Sequence, residues 1–109
     1  MNREELFPQE VLDKIPPLYT YEETSANDII IQVKYFLASF TWLVAEYEMQ
    51  GDDVMFYGYV VNHNTPEFSE WGSFTLKQLM EVKLPGGLGV ERDLYFDAVK
   101  FGECKEKEG

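Results

Sequence analysis

Basic side chains are scarce in this sequence. Lys and Arg total nine against 20 Asp and Glu, and the formal net charge at pH 7 is −11. Proteins that bind nucleic acid use Lys and Arg to neutralise phosphates, so this balance disfavours direct nucleic-acid binding. An acidic surface suits a protein partner with a basic surface instead. Acidity alone also keeps a small domain soluble, which is the simpler interpretation of the same charge.

Cysteine and histidine are almost absent, with Cys104 and His63 as single copies. One cysteine cannot form an internal disulfide, which is typical of a reducing compartment. Cys104 lies among charged residues and is expected to be exposed and inert. A zinc site is disfavoured because Cys and His are the usual zinc ligands. No apolar run reaches the roughly 20 residues that span a bilayer, so the sequence predicts a cytoplasmic protein with no membrane partner.

Length and aromatic content predict a single domain. The chain has 109 residues, 45% of them hydrophobic and 16% aromatic, which is enough to form a core without disulfides or a structural metal. We expect one domain over residues 1–109, with an ordered core over about residues 8–101. The charged segment 102–109 is expected to be a frayed tail.

Consecutive segments rich in β-branched and aromatic residues predict strands. They cover residues 28–37, 41–48 and 54–62, with a shorter extended piece at 70–74 and a final one at 94–101. The turn signal Gln50–Asp53 joins the second and third segments into a predicted hairpin. The two-residue period places one set of apolar residues together on the first strand: Ile29, Ile31, Val33 and Tyr35. The same period places Glu46 on the strand face of Glu48 and Trp42.

Two short helices are predicted beside these strands. Residues 8–14 form the first, which Pro16 and Pro17 end. Thr75 and Gln78 have the spacing of a capping box and start the second helix, which runs through Lys83. Because the strands follow one another instead of alternating with helices, the fold class is α+β: a small antiparallel meander of three to five strands with two short helices packed on it.

The central part of the chain is acidic, aromatic and free of cations. No Lys or Arg occurs between Lys34 and Lys77. Tryptophan and tyrosine are enriched at protein interfaces, so the two tryptophans are candidate anchors that would be partly exposed. The predicted partner-binding residues are Trp42, Glu46, Glu48, Glu67, Glu70 and Trp71.

An enzyme is the competing hypothesis. Paired carboxylates at i, i+2 spacing point to one face of a strand and can hold Mg²⁺ or Mn²⁺. The candidate residues for a metal-dependent hydrolase are Glu46, Glu48, Glu91, Asp93 and, as an assisting base, His63. Such pairs also arise by chance in an acidic chain, and His63 is also typical of a solvated loop.

The glycine-rich stretch Pro85–Gly89 does not predict a nucleotide cofactor. A dinucleotide-binding loop follows a strand and opens a helix, whereas this stretch follows a predicted helix. We therefore interpret it as a helix stop and turn, and we expect no cofactor. Arg92, between Glu91 and Asp93, is predicted to form a structural clasp with an acid of the central region.

Four segments resemble a bacterial family catalogued as domain of unknown function 2958. They are KIPPLY at 14–19, FYGYV at 56–60, EWGSFTL at 70–76 and PGGLGVERDLYF at 85–96. The resemblance covers roughly residues 11–97, and Ser73 and Gly89 depart from the usual pattern. It implies an accessory protein of plasmids, phages and integrative elements, often encoded near antirestriction or conjugation genes. It implies no catalytic mechanism and no set of binding residues.

Together these observations favour a non-enzymatic interaction module whose partner is a basic protein. A host-defence or DNA-processing enzyme fits the context that the resemblance implies. The enzyme remains the alternative.

Overall fold

The computed structural model describes residues 1–108, and the side chains of residues 1–104. Its strands are β1 Ile30–Ile31, β2 Val33–Leu37, β3 Phe40–Gln50, β4 Asp53–Asn62, β5 Glu70–Thr75, β6 Glu91–Arg92 and β7 Val99–Lys100. Its helices are α1 Arg3–Leu6, α2 Gln9–Leu12, α3 Leu76–Glu81 and α4 Phe101–Glu108, with 3₁₀ turns at Ala26–Asp28 and Pro66–Phe68.

Five strands form the main antiparallel sheet in the order β5-β4-β3-β2-β6, and β1 pairs with β7 in a second small sheet. The predicted α+β class and antiparallel meander are confirmed. The β3–β4 hairpin is also confirmed, with Gln50 opposite Asp53 across the turn. Gly51 adopts a φ of 64° there, which is the left-handed conformation that such turns require.

The predicted helices are present but shorter than expected. The first spans Gln9–Leu12, and the second spans Leu76–Glu81 and ends before Lys83. The capping box is confirmed: Thr75 accepts from the Gln78 amide at 3.1 Å, and Gln78 accepts from the Thr75 amide at 2.9 Å. The sequence analysis missed α1, which Asn2 caps in the same reciprocal way with Glu5.

Two apolar cores lie on opposite faces of the main sheet. The first contains Tyr35, Trp42, Val44, Phe56 and Leu76, and α1 and α2 contribute Leu6 and Val11. The second contains Ile29, Ile31, Leu43, Ala45 and Phe101. The prediction that Ile29, Ile31, Val33 and Tyr35 share one core face was therefore wrong. The chain leaves the small sheet at Gln32 and enters the large one, and this change reverses the side-chain alternation.

A β-bulge in β3 overturns a second prediction about faces. The β3–β4 register shifts between Val44 and Glu46, so Ala45 is an extra residue with no partner of its own in β4. Ala45 packs in the second core, and Glu46 follows on that same side, opposite Tyr57. Glu46 therefore lies on the other face from Trp42, because the extra residue changes the two-residue period.

The C-terminal region differs from the predicted extended segment and frayed tail. Only Val99–Lys100 of residues 94–101 form a strand, and α4 begins at Phe101. Phe101 and Cys104 are buried in the second core, and Cys104 is 2% exposed. The expectation that Cys104 is exposed was wrong, because α4 packs against the 3₁₀ turn at Ala26–Asp28 instead of leaving the domain.

None of the helices within residues 1–108 has the length and apolar character needed to cross a bilayer.

Candidate functional site

A cavity of about 540 Å³ lies on the second face of the main sheet. Strands β3, β4 and β5 form its floor, and the segment between Leu18 and Ile29 folds over it as a rim. Small-molecule and side-chain pockets in proteins typically occupy about 300–1,000 Å³, so this cavity has the size of a binding site.

Glu46 is the polar centre of the cavity. Only 5% of its surface is exposed, yet it lines the cavity. Its Oε1 accepts a hydrogen bond from the backbone N–H of Tyr19 at 3.3 Å, and its Oε2 accepts one from the N–H of Tyr21 at 2.7 Å. A buried carboxylate requires such partners. The two amides therefore hold the carboxylate in place and attach the rim to the sheet.

Stacked aromatic rings form one wall of the cavity. Tyr57 and Trp71 lie 5.8 Å apart between ring centroids with an interplanar angle of 15°. Behind them, Trp71 contacts Tyr59 at 5.5 Å and Phe101 at 4.7 Å between centroids. Because Trp71 is packed from several sides, the wall is preorganised for a ligand.

The rim carries a strained residue. Tyr19 has a φ of 71°, although a side chain disfavours this left-handed region. Its side chain is 74% exposed, and its amide is one of the two that bind Glu46. Strain of this kind persists where surrounding contacts impose it, and it is concentrated at functional sites.

The acids of the cation-free stretch fall into two groups. Glu46, Asp52 and Asp53 are engaged within the chain: Asp52 pairs with Lys77 at 3.0 Å, and Asp53 accepts from the amides of Val54 at 2.7 Å and Lys77 at 3.1 Å. The Lys77 ammonium, by hydrogen bond and by charge, lowers the pKa of Asp52 below its usual value. Glu48, Glu67 and Glu70 form the second group; they are exposed, as Asp52 is, and Glu48 accepts from the Nε2 of Gln50 at 3.4 Å.

The structure brings only part of the predicted partner-binding set together. Glu46 and Trp71 line the cavity, and Glu48 lies two residues further along β3, on the same face. Glu70 begins the edge strand β5 immediately before Trp71, and Glu67 lies in the preceding 3₁₀ turn. Trp42 was expected to be partly exposed. It is 8% exposed and packs in the first core, stacked on Phe40, so it cannot anchor a partner.

The residues of the enzyme hypothesis occupy two separate places. Glu91, Asp93 and His63 line a second, more open cavity of about 490 Å³, while Glu46 and Glu48 lie on β3. His63 is exposed, and its Nε2 lies 3.0 Å from the Oγ1 of Thr41. Among the described residues, no group of three or more His, Cys, Asp and Glu is placed to hold a metal ion. The five residues therefore do not form one catalytic centre.

The Glu91–Asp93 segment fastens the N-terminus to the sheet. Glu91 and Arg92 pair with Phe36 and Tyr35 as edge strand β6. The Nε of Arg92 donates to the carbonyl oxygen of Glu5 at 2.9 Å, and the Asp93 amide donates to the Lys34 carbonyl at 2.9 Å. These contacts support the structural clasp, which stays a prediction, but they join Arg92 to the backbone of α1 and not to a central carboxylate.

Sequence reasoning missed Tyr19, Tyr21 and Tyr57 as cavity residues. The rim tyrosines lie between the predicted first helix and first strand and had no predicted role, and Tyr57 was assigned to the predicted strand 54–62 without a ligand role. The available signal was the LYTYEE segment at 18–23, where two tyrosines precede two glutamates directly after a pair of prolines.

The chain matches the model of the family described as "Protein of unknown function (DUF2958)" over residues 9–101 of the 109. This range contains the rim, β3, β4, β5 and Phe101, and so it contains every residue that lines the cavity. No curated protein and no solved structure matches the chain.

Proposed function

We propose that this chain, which belongs to the DUF2958 family, is a non-enzymatic module that binds a protein with a basic surface. The observation that carries the proposal is that the stretch without Lys or Arg contains both the exposed acids Glu48, Glu67 and Glu70 and the residues Glu46, Tyr57 and Trp71 of the aromatic cavity. Opposite charges speed the encounter of the two proteins, and an aromatic pocket retains the partner once it has docked.

Charged and aromatic residues follow one another in the chain at the start of edge strand β5. The turn before β5 presents Phe68, which is 75% exposed, between Glu67 and Glu70. Trp71 follows at once and lines the cavity. Interfaces commonly combine aromatic anchors with a polar rim, and this edge supplies both.

The partner class follows from the same charge. Proteins that handle DNA carry basic surfaces that bind phosphates, and a strongly acidic module competes for such surfaces. We therefore propose a host-defence or DNA-processing protein as partner, within the plasmid and mobile-element setting that the family resemblance implies. A cytoplasmic location fits such a partner and the single cysteine.

Matched charge reversals test the proposal. The variant Glu48→Lys, Glu67→Lys, Glu70→Lys reverses the three exposed acids of the cation-free stretch, while Glu10→Lys, Glu81→Lys, Asp97→Lys makes the same change in net charge at exposed positions elsewhere. Each immobilised protein is exposed to host lysate, and retained proteins are identified by mass spectrometry. We expect the Glu48/Glu67/Glu70 variant to lose a specific basic protein that the parent and the control variant both retain. Equal retention by both variants would refute the proposal.

The hydrolase alternative is not favoured by a specific observation, since its five residues are divided between two places on the surface.

A further inference from the structure

We infer that the cavity is a receptor for an arginine side chain, supplied by the partner. This inference rests on the proposed function, because it names the group that the basic partner inserts. It also stands as a separate chemical claim about Glu46, Tyr57 and Trp71, which a small molecule can test without any partner.

The charge of the cavity selects a cation. Its described lining includes the carboxylates of Glu46 and Glu22 and contains no Lys, Arg or His. Glu46 is buried, so water and salt screen its charge less than they screen a surface carboxylate. A cation that enters the cavity therefore meets an attraction that no basic side chain of the lining offsets.

The hydrogen bonds of Glu46 leave room for a ligand. A carboxylate has about four acceptor sites on its two oxygens. The backbone amides of Tyr19 and Tyr21 use one site on each oxygen. Each oxygen therefore keeps acceptor capacity beyond these bonds, and the two oxygens of a carboxylate match the spacing of the parallel N–H groups of a guanidinium.

The aromatic wall favours guanidinium over ammonium. Guanidinium is planar, stacks on aromatic faces and is less strongly hydrated than the ammonium of lysine. The Tyr57–Trp71 pair supplies such rings, together with the attraction of a cation to an aromatic face. Because entry into the cavity removes water from the charge, the more weakly hydrated cation binds at lower cost.

The two tryptophans provide the readout for a test. Trp71 lines the cavity, whereas Trp42 lies in the first core on the other face of the sheet. In ¹⁵N-labelled protein the two indole N–H signals are followed by NMR, and Trp71→Phe assigns them. The protein is titrated with N-acetyl-arginine amide, with its lysine counterpart, and with the citrulline counterpart, which has nearly the same shape but no charge.

We expect arginine amide to shift the Trp71 signal with saturation and to leave the Trp42 signal in place. We expect binding at least about tenfold tighter than that of citrulline amide. Glu46→Gln should weaken binding about tenfold or more, while Glu48→Gln, two residues further along the same strand face, should retain it. If Glu46→Gln fails to fold, Tyr57→Leu serves instead, because it removes half of the stacked wall and leaves the carboxylate.

Equal binding of citrulline amide, no movement of the Trp71 signal, or tighter binding of lysine amide would each overturn the inference. These outcomes are separate from failure of the proposed function, since the capture experiment leaves Glu46 unchanged. If N-acetyl-arginine amide does not bind, but capture of the partner still depends on Glu48, Glu67 and Glu70, the inference is refuted and the proposed function is not.

Discussion

The Oε2 of Glu46 and the backbone N–H of Tyr21 form a 2.7 Å hydrogen bond that joins the central strand β3 to the rim of the cavity. The residues are 25 positions apart in the chain. A second bond, from the Tyr19 amide to Oε1, doubles the connection. One side chain therefore adds two bonds to the backbone bond between the Leu18 amide and the Tyr47 carbonyl that also joins this irregular segment to β3.

Replacing Glu46 should destabilise the fold. Glu46→Ala removes the acceptor of two backbone amides, and a polar group left without a partner costs about 1–3 kcal/mol. Glu48→Ala, at an exposed position of the same strand, should change stability by no more than about 0.5 kcal/mol. Urea denaturation measures both. Equal midpoints for the two variants would show that Glu46 does not hold the rim.

Because Tyr19 has a positive φ, a glycine at this position should give a more stable protein than an alanine, which is the reverse of the usual order of stability. In the left-handed region a Cβ costs roughly 1–2 kcal/mol, so Tyr19→Gly should be more stable than Tyr19→Ala by about 1 kcal/mol. Thr20, the next residue, does not have a positive φ and serves as control: Thr20→Ala should be at least as stable as Thr20→Gly. The same order at both positions would contradict the strain assigned to Tyr19. Thermal unfolding of the four variants measures these differences in stability.

Gly58 should tolerate no side chain. A Cβ at this position would collide with the carbonyl oxygen of Leu43 in the neighbouring strand, close to the bulge. Gly58→Ala should therefore lose roughly 1–3 kcal/mol, the usual cost of overpacking. Gly72 is its partner in β5, and a Cβ there meets nothing within 4 Å. Gly72→Ala should be nearly neutral in the same denaturation assay, and a comparable loss in both variants would refute the steric argument.

Tyr35 should make the protein sensitive to alkaline pH. Burial raises the pKa of its phenol far above the usual value near 10, although Arg92 opposes the effect. Between pH 10 and the raised value the unfolded chain releases this proton and the folded chain retains it. The contribution of Tyr35 to stability is therefore complete below pH 10 and falls as pH rises, by about 1.4 kcal/mol per unit.

Tyr35→Phe tests this linkage. The variant loses the hydrogen bond from the Tyr35 hydroxyl to the Leu6 carbonyl, which is 2.6 Å long, so it should be less stable at pH 7. Above pH 10 its stability should fall less steeply than that of the parent. Tyr95→Phe, at a side chain that is 93% exposed, should leave the parent slope unchanged. Parallel slopes for the parent and Tyr35→Phe in urea denaturation at pH 9–11 would refute the assignment.

Cys104 reports on the packing of the C-terminal helix. Since the side chain is 2% exposed in the second core, a thiol reagent should modify it far more slowly in the native protein than in urea. Phe101→Ala, which removes a buried neighbour from the same core, should accelerate the native reaction. Modification at the unfolded rate in the parent would contradict the packing of α4.

The sequence predicted the meander because its determinants are local. Alternating β-branched and aromatic residues define β3 and β4, the Gln50–Asp53 signal defines their turn, and Thr75 with Gln78 defines the start of α3. Each of these features is decided by residues close together in the chain, and each appears in the structure.

The cavity could not be predicted because its determinants are distant or irregular. The bulge at Ala45 moves Glu46 to the face opposite Trp42, and no local sequence pattern predicts that extra residue. Leu18–Ile29 is held over the sheet by contacts with distant residues: Glu46 accepts two of its amides, the Leu18 amide donates to the Tyr47 carbonyl, and the Ile29 carbonyl accepts from Phe101. A prediction of faces by period 2 is correct up to the bulge and fails after it, which explains why Trp42 and Glu46 were wrongly placed together.

The small sheet has a consequence for the order in which parts of the molecule open. Only the pairs Ile30–Lys100 and Ile31–Val99 join β1 to β7, and Phe101, which supports Trp71, follows directly. Short ladders between distant segments are among the first to open in the native ensemble. We expect amide hydrogens of this ladder to exchange with solvent before those of β3 and β4. The wall of the cavity can thus lose its support while the main sheet stays intact, so occupancy of the cavity and pairing of β1 with β7 should be thermodynamically linked.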